Sequence, residues 1–333
     1  MAALLAAAML LAASAVAAAE DARGFSPIEV EARPVSLERG GGERRRYGRL
    51  AFRGGLVLTS PERRFGGFSG LGLDRDGRRL LAITDEGNAL EAELVYSDGR
   101  LSGLRRAGLG RLKGSRGQDL PGKVWSDAEA LAFGPDGFDG PLWVSFEHRH
   151  RIERYDFGRH GLRTRAVRTK LPPPLGRLPL NHGVEAMARF GPDTPLGGAF
   201  ILFGEDADAG GMTPGALLGG PSPGPLGLRN PDGHAVTDAA VLPGGDLVVL
   251  ERFFGSLFDF SIRLRRIAAK AIRPGARLSG EVLFEGGIVY NIDNFEGLAV
   301  HTEGDEVRLT LISDNNFSRL QRTLLMQFAI VED

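Results

Sequence analysis

Short apolar runs separated by turn signals dominate this chain, and sustained helical periodicity is scarce. Leu80-Leu81-Ala82-Ile83-Thr84, Pro141-Leu142-Trp143-Val144-Ser145-Phe146, Ala199-Phe200-Ile201-Leu202-Phe203, Asp246-Leu247-Val248-Val249-Leu250 and Val307-Arg308-Leu309-Thr310-Leu311-Ile312 read as buried or half-buried strands. Asp76-Gly77, Pro135-Asp136-Gly137, Gly191-Pro192-Asp193 and Pro243-Gly244-Gly245 precede the first four as turns. Upstream of each strand stands a recurring phrase: an apolar residue, an acid, Gly or Ala, Leu or Met, then Ala. It occurs in Trp125-Ser126-Asp127-Ala128-Glu129-Ala130-Leu131-Ala132, His182-Gly183-Val184-Glu185-Ala186-Met187-Ala188 and Phe295-Glu296-Gly297-Leu298-Ala299. Weaker copies are Phe68-Ser69-Gly70-Leu71-Gly72 and Val236-Thr237-Asp238-Ala239-Ala240-Val241.

Taking Ser69, Glu129, Glu185, Asp238 and Glu296 as markers, the spacings are 60, 56, 53 and 58 residues. Such a period is too long for helix-pair repeats and suits a four-stranded propeller blade with generous loops. The fold class expected is therefore all-β, a β-propeller. Residues 25–60 add two strands, 27–37 and 49–58, separated by the glycine- and arginine-rich stretch 40–46. These are expected to build one more blade with a C-terminal strand at 323–331, closing the ring by pairing the two chain ends. Five marker repeats plus this composite predict six blades, with five as the alternative. Residues 207–232, rich in Gly and Pro, read as a long loop without periodicity, placed to act as a lid.

Each repeat begins as a hairpin, so the start of its first strand lies beside the end of its second. A second acid follows each second strand: Asp85 and Glu86, Glu147, Glu205 and Asp206, Glu251, and Asp314. The marker acids and these partners are thus expected at one mouth of the central channel. Carboxylates so close together need compensation, and a hard divalent cation, Ca2+ above all, supplies it. Asp85, Glu86, Glu147, Glu205, Asp206, Asp238, Glu251 and Asp314 are the candidate metal ligands. Glu129, Glu185 and Glu296, with His182 on the approach to Glu185, are candidates for acid–base work. Arg149, Arg252, Arg319 and His148 are placed to contact an anionic substrate or to neutralise the acids beside them. Acids that brace neighbouring strands would give the same pattern. The chain carries no P-loop, dinucleotide fingerprint or His-Glu-x-x-His motif.

Residues 1–19 hold no charged side chain and end in Ala17-Ala18-Ala19, which reads as a signal peptide cut near Ala19. The expectation is an exported protein, periplasmic or secreted, whose residues 20–333 form one propeller domain with no further membrane span. The chain has no cysteine, which excludes disulfides, thiolate metal sites and a cysteine nucleophile. A net charge of −1 gives no reason to expect a nucleic-acid or membrane partner. A small anionic or ester substrate and a monomeric state are expected.

The phrases Phe68-Ser69-Gly70-Leu71, Asp85-Glu86-Gly87, Asp127-Ala128-Glu129-Ala130-Leu131, His182-Gly183-Val184-Glu185-Ala186-Met187, Asn294-Phe295-Glu296-Gly297-Leu298 and Ser313-Asp314-Asn315-Asn316-Phe317 resemble the phytase-like, "esterase-like activity of phytase" family of exported bacterial propellers. The resemblance covers about residues 45–331 and implies a periplasmic or secreted β-propeller with Ca2+-dependent hydrolysis of phosphoesters or esters. Unlike the β-propeller phytases, the chain shows no dense Lys/Arg phosphate cradle, which argues against inositol phosphate as substrate. A non-catalytic propeller binding a ligand or partner of the cell envelope is the alternative. A lactonase or sugar dehydrogenase of similar shape is a third reading; a quinone-dependent dehydrogenase would need a His-lined cofactor pocket, which six dispersed histidines do not support.

Overall fold

A computed structural model describes residues 22–332 except 43, 45, 257 and 258; the segment read as a signal peptide lies outside the described residues. The chain opens with β1 (Phe25–Pro27), β2 (Glu31–Pro34) and β3 (Leu50–Thr59). Blade I is the meander β4 (Phe68–Leu73), β5 (Arg79–Thr84), β6 (Asn88–Ser97) and β7 (Arg100–Arg111), with β1 on its outer edge. Blade II is β8 (Ala128–Phe133), β9 (Leu142–Phe146), β10 (Arg151–Tyr155) and β11 (Val167–Thr169). Blade III is β12 (Val184–Arg189), β13 (Phe200–Gly204), β14 (Met212–Leu218) and β15 (Gly224–Arg229). Blade IV is β16 (Ala235–Val241), β17 (Leu247–Ser256) and β18 (Asp259–Ile267); its outer strand β20 (Glu281–Gly287) follows β19 (Arg277–Leu278), which pairs parallel to β15. Blade V is β21 (Asn294–Glu303), β22 (Glu306–Asp314) and β23 (Thr323–Ile330), continued outward by β3 and β2.

The marker phrases form the innermost strands, and these neighbour one another in a closed ring: β4, β8, β12, β16, β21 and back to β4. Their small residues let the strands approach. A Cβ on Gly297 would lie 2.9 Å from Leu71 Cβ and 2.6 Å from Ile312 Cγ2, and one on Gly70 would lie 3.1 Å from Glu129 O. Five apolar clusters fill the five gaps between adjacent sheets, for example Leu81, Val144 and Tyr155 between blades I and II, and Phe52, Leu264 and Phe295 between IV and V. Each such fully buried side chain contributes about 1.5–3 kcal/mol.

The propeller has five blades, which corrects the expected six. The N-terminal strands and the C-terminal strand do not stand as a separate blade. The hairpin β21–β22 has no outer strands of its own, so β23 and β3 supply them, in register from Thr323↔Leu58 to Ile330↔Leu50. The ring is closed inside blade V by this pairing of chain ends. The expected lid at 207–232 is likewise corrected: it is the outer hairpin β14–β15 of blade III. Leu217, Leu226 and Leu228 are buried there, so the strand pattern persists beneath the Gly and Pro.

Candidate functional site

Every innermost strand starts with a β-bulge at the same place. The register breaks between Phe68 and Gly70, Ala128 and Leu131, Val184 and Ala186, Val236 and Asp238, and Phe295 and Gly297. A bulge turns its extra residue out of the ladder and re-aims its side chain. The bulge residues are Ser69, Glu129 (with Ala130), Glu185, Thr237 and Glu296. Ser69 Oγ donates to Ala128 O, and Thr237 Oγ1 to Phe295 O at 3.1 Å, each bracing the neighbouring blade. The three glutamates instead line the channel.

A second ring position lies where the second strand ends. Asp85 N–H bonds Gly67 O (2.9 Å), Glu147 N–H bonds Asp127 O (2.8 Å), Glu205 follows the Gly204–Val184 pair, and Asp314 pairs with Asn294. In blade IV this position is Arg252, paired with Ala235. The result is a cavity of about 210 Å³ whose walls bring together Asp85, Glu129, Glu147, Glu185, Glu205, Glu296 and Asp314. Asp127 joins them, as do Lys123, Arg252, Thr237, Asn181 and Asn316.

Burial and mutual repulsion raise the proton affinity of these acids. Burial, then Glu185, Asp127, Glu296 and Glu147, push Glu129 well above the ordinary carboxylate range. Burial, then Glu205, Glu147 and Glu296, do the same to Glu185. Burial and Asp127 push Glu147 up to about 7, and burial and Glu296 push Asp314 up to about 8. Glu296 and Glu205 are raised by burial against the pull of Arg252, and Asp85 by burial against the pull of Lys123. Lys123 Nζ sits 2.6 Å from Asp85 Oδ2 and 3.3 Å from Asp127 Oδ1; these carboxylates outweigh burial and hold its ammonium above the usual lysine value. Arg252 reaches Asn294 Oδ1, Glu296 (3.3 Å) and Glu205 (3.8 Å).

Two acid–histidine clusters stand at the rim. In one, His148 Nε2 lies 3.2 Å from Asp127 Oδ2 and Nδ1 3.7 Å from Glu147 Oε2. In the other, His182 Nδ1 lies 3.0 Å from Asp206 Oδ2 and 3.4 Å from Glu205 Oε2. Each set keeps its potential ligand atoms within 4.8 Å of one another. Asp127 is only 1% exposed, yet neither of its carboxylate oxygens receives a hydrogen bond.

Five other expected positions fall outside the cavity. Asp238 is one residue past the bulge, so it points away from the channel; its oxygens accept from Ala239 N–H and from Leu298 N–H of blade V (2.8 and 2.7 Å). Glu251 is one residue short of the ring position and lies fully buried inside blade IV, paired with Arg265 and, at 3.4 Å, Arg263. Glu86 and Arg319 are exposed and line no part of it. Arg149 is exposed as well, and its guanidinium stacks 4.2 Å over the Trp125 ring. Residues not anticipated are Asp127, Lys123, Thr237 and Asn181. Asp127 left a signal: it precedes Glu129 by two, the strand period that sets side chains on one face.

Residues 63–317 match the model of a family described as phytase-like, esterase-like activity of phytase. No curated protein matches the sequence. Among solved structures, the crystal structure of RRP9 WD40 repeats is similar over 91% of this chain and 99% of that one, at 8% identity and a TM-score of 0.41.

Proposed function

This chain belongs to the phytase-like family, esterase-like activity of phytase, and from that premise we propose that it hydrolyses phosphate or carboxylic esters at the acid mouth with a bound divalent cation, Ca2+ foremost. The observation that carries the reading is the convergence of eight carboxylates on one cavity in which, among the described residues, Lys123 and Arg252 are the only lysine or arginine lining residues. The donors fit Ca2+: they are carboxylate and amide oxygens, and buried Asp127 has two oxygens that accept no hydrogen bond, their neighbours being the ion-pair contacts with Lys123 at 3.3 Å and His148 at 3.2 Å. Asp85, Asp127, Glu147, Glu205 and Asp314 would hold the cation. When bound, it polarises a phosphoryl or carbonyl oxygen and offsets the charge that develops there.

The protein's own groups do the rest. Glu185 is half-buried on the channel wall with a raised proton affinity, which suits it to take a proton from an attacking water and return one to the leaving oxygen. Burial and repulsion from Glu205, Glu147 and Glu296 keep that affinity high. Arg252 faces the anionic part of the substrate, and His182 and His148 hold the rim acids. The uncharged segment 1–19 supports export of the mature protein, to the periplasm or the medium.

The test is turnover of p-nitrophenyl phosphate and p-nitrophenyl butyrate with Ca2+ and after chelation. Chelation should abolish the activity, and Glu185→Gln should lower kcat about 100-fold or more while cation binding persists. Metal-free protein that hydrolyses either ester as fast as the Ca2+ form would overturn the reading.

A further inference from the structure

Beside the acid mouth runs a second, larger cavity of about 480 Å³. Its apolar walls are Phe254, Phe260, Ile288, Ile292 and Leu320. Phe254 and Phe260 face each other across the β17–β18 ladder, their rings edge to face at 6.4 Å. Three of these side chains are unusually bare for their type: Phe254 is 62% exposed, Ile288 41% and Leu320 88%. They come from three separate segments, the β17–β18 hairpin, the β20–β21 connection and the β22–β23 connection, and converge on one hollow. Isolated exposed apolar residues are ordinary, whereas several converging on one concave surface mark a binding site.

The two cavities adjoin. Arg252 and Asn316 line both. Arg252 stands at their junction with its guanidinium held by the Asn294 side chain. Asn316 adopts φ of 47°, in the left-handed region, and its N–H bonds Asp314 Oδ1 at 2.7 Å, tying the shared wall to an acid of the mouth. A polar pocket of about 210 Å³ thus shares a wall of one arginine and one asparagine with a largely apolar one of about 480 Å³. The larger volume falls within the range of small-molecule sites, which are mostly apolar with a few placed polar groups.

We propose that the substrates are amphiphilic: a phosphate or ester head enters the acid mouth and an alkyl or aryl tail lies in the groove of Phe254, Phe260, Ile288, Ile292 and Leu320. The inference rests on the reading that the mouth takes the polar head beside a cation, and it adds the chemical class of the remainder. It also accounts for the absence of a dense basic cradle: a molecule with one charged head needs one arginine at the junction rather than a ring of them.

The experiment is calorimetric titration of the Ca2+-loaded protein with ethyl, butyl and octyl phosphate, with phosphate release followed on the same compounds. Each methylene that enters the groove should strengthen binding about three- to fourfold. Phe254→Ser and Ile288→Ser, both at exposed positions, should each flatten this dependence while the melting temperature holds. Equal affinity for all three compounds, or a chain-length dependence unchanged in both variants, would overturn the inference. Dimerisation or binding to phosphatidylglycerol vesicles that Phe254→Ser abolishes would assign the groove to a second copy or a lipid surface, and would also overturn it. The two readings fail separately. Chain-length-dependent binding without turnover of any ester removes hydrolysis and leaves the groove; turnover indifferent to chain length removes the groove and leaves hydrolysis.

Discussion

Blade IV and the other four blades share one backbone and differ at the mouth. At the second ring position blades I, II, III and V present Asp85, Glu147, Glu205 and Asp314, and blade IV presents Arg252. At the bulge, blades II, III and V present glutamates, while blades I and IV present the hydroxyls of Ser69 and Thr237, which brace the next blade. The acids of blade IV have moved one residue along the chain and serve the fold. Asp238 ties β16 to β21 through Leu298 N–H, and Glu251 neutralises Arg265 within the sheet. A shift of one residue turns a strand side chain to the other face, so two acids in almost the same place in the repeat have opposite roles. Blade IV thereby gives the mouth the one arginine among its described lining residues, at the wall it shares with the apolar groove.

The comparison can be broken at Asp238. Asp238→Ala leaves two buried N–H groups without acceptors and should cost about 2–4 kcal/mol of stability by urea unfolding, with Ca2+ affinity of the folded protein unchanged. Loss of Ca2+ binding at full stability would instead place Asp238 among the mouth ligands. Arg252→Gln sharpens it with a smaller effect. Removing the one positive charge between Glu205 and Glu296 should tighten Ca2+ about tenfold, a matter of ~1.4 kcal/mol, and raise KM for a phosphate monoester by a similar factor. If neither quantity moves, the arginine is an idle rim charge.

Much of this was legible in the residues. The repeat length gave a propeller, and hairpin geometry placed Asp85, Glu147, Glu205 and Asp314 with Glu129, Glu185 and Glu296 at one mouth, where the structure has them. Blade number was misread because strands 294–314 and 323–330 look complete without partners from the N-terminus; only register shows that β3 and β23 extend the same sheet. The β14–β15 hairpin was hidden by Gly and Pro, which edge positions tolerate. The roles of Asp238, Thr237 and Glu251 were beyond reach because a bulge adds one residue without marking the sequence. Lys123 comes to Asp85 from a four-residue helix in another blade's approach, a contact that no spacing announces.

The central claim is that the mouth holds a divalent cation, and its most direct test is calorimetric titration of metal-free protein with Ca2+ at pH 6 and pH 8. Glu147, pushed up to about 7, and Asp314, pushed up to about 8, hold protons in the folded protein that the unfolded chain has already lost. The metal-free fold therefore loses stability as pH rises from the ordinary values of the two carboxyls, 4.5 for Glu147 and 3.8 for Asp314, toward 8. The same protons compete with the cation. The account predicts saturable binding that is about tenfold or more tighter at pH 8 than at pH 6, accompanied by a rise in melting temperature at pH 8. No binding at pH 8, or an affinity that weakens as pH rises, would contradict it.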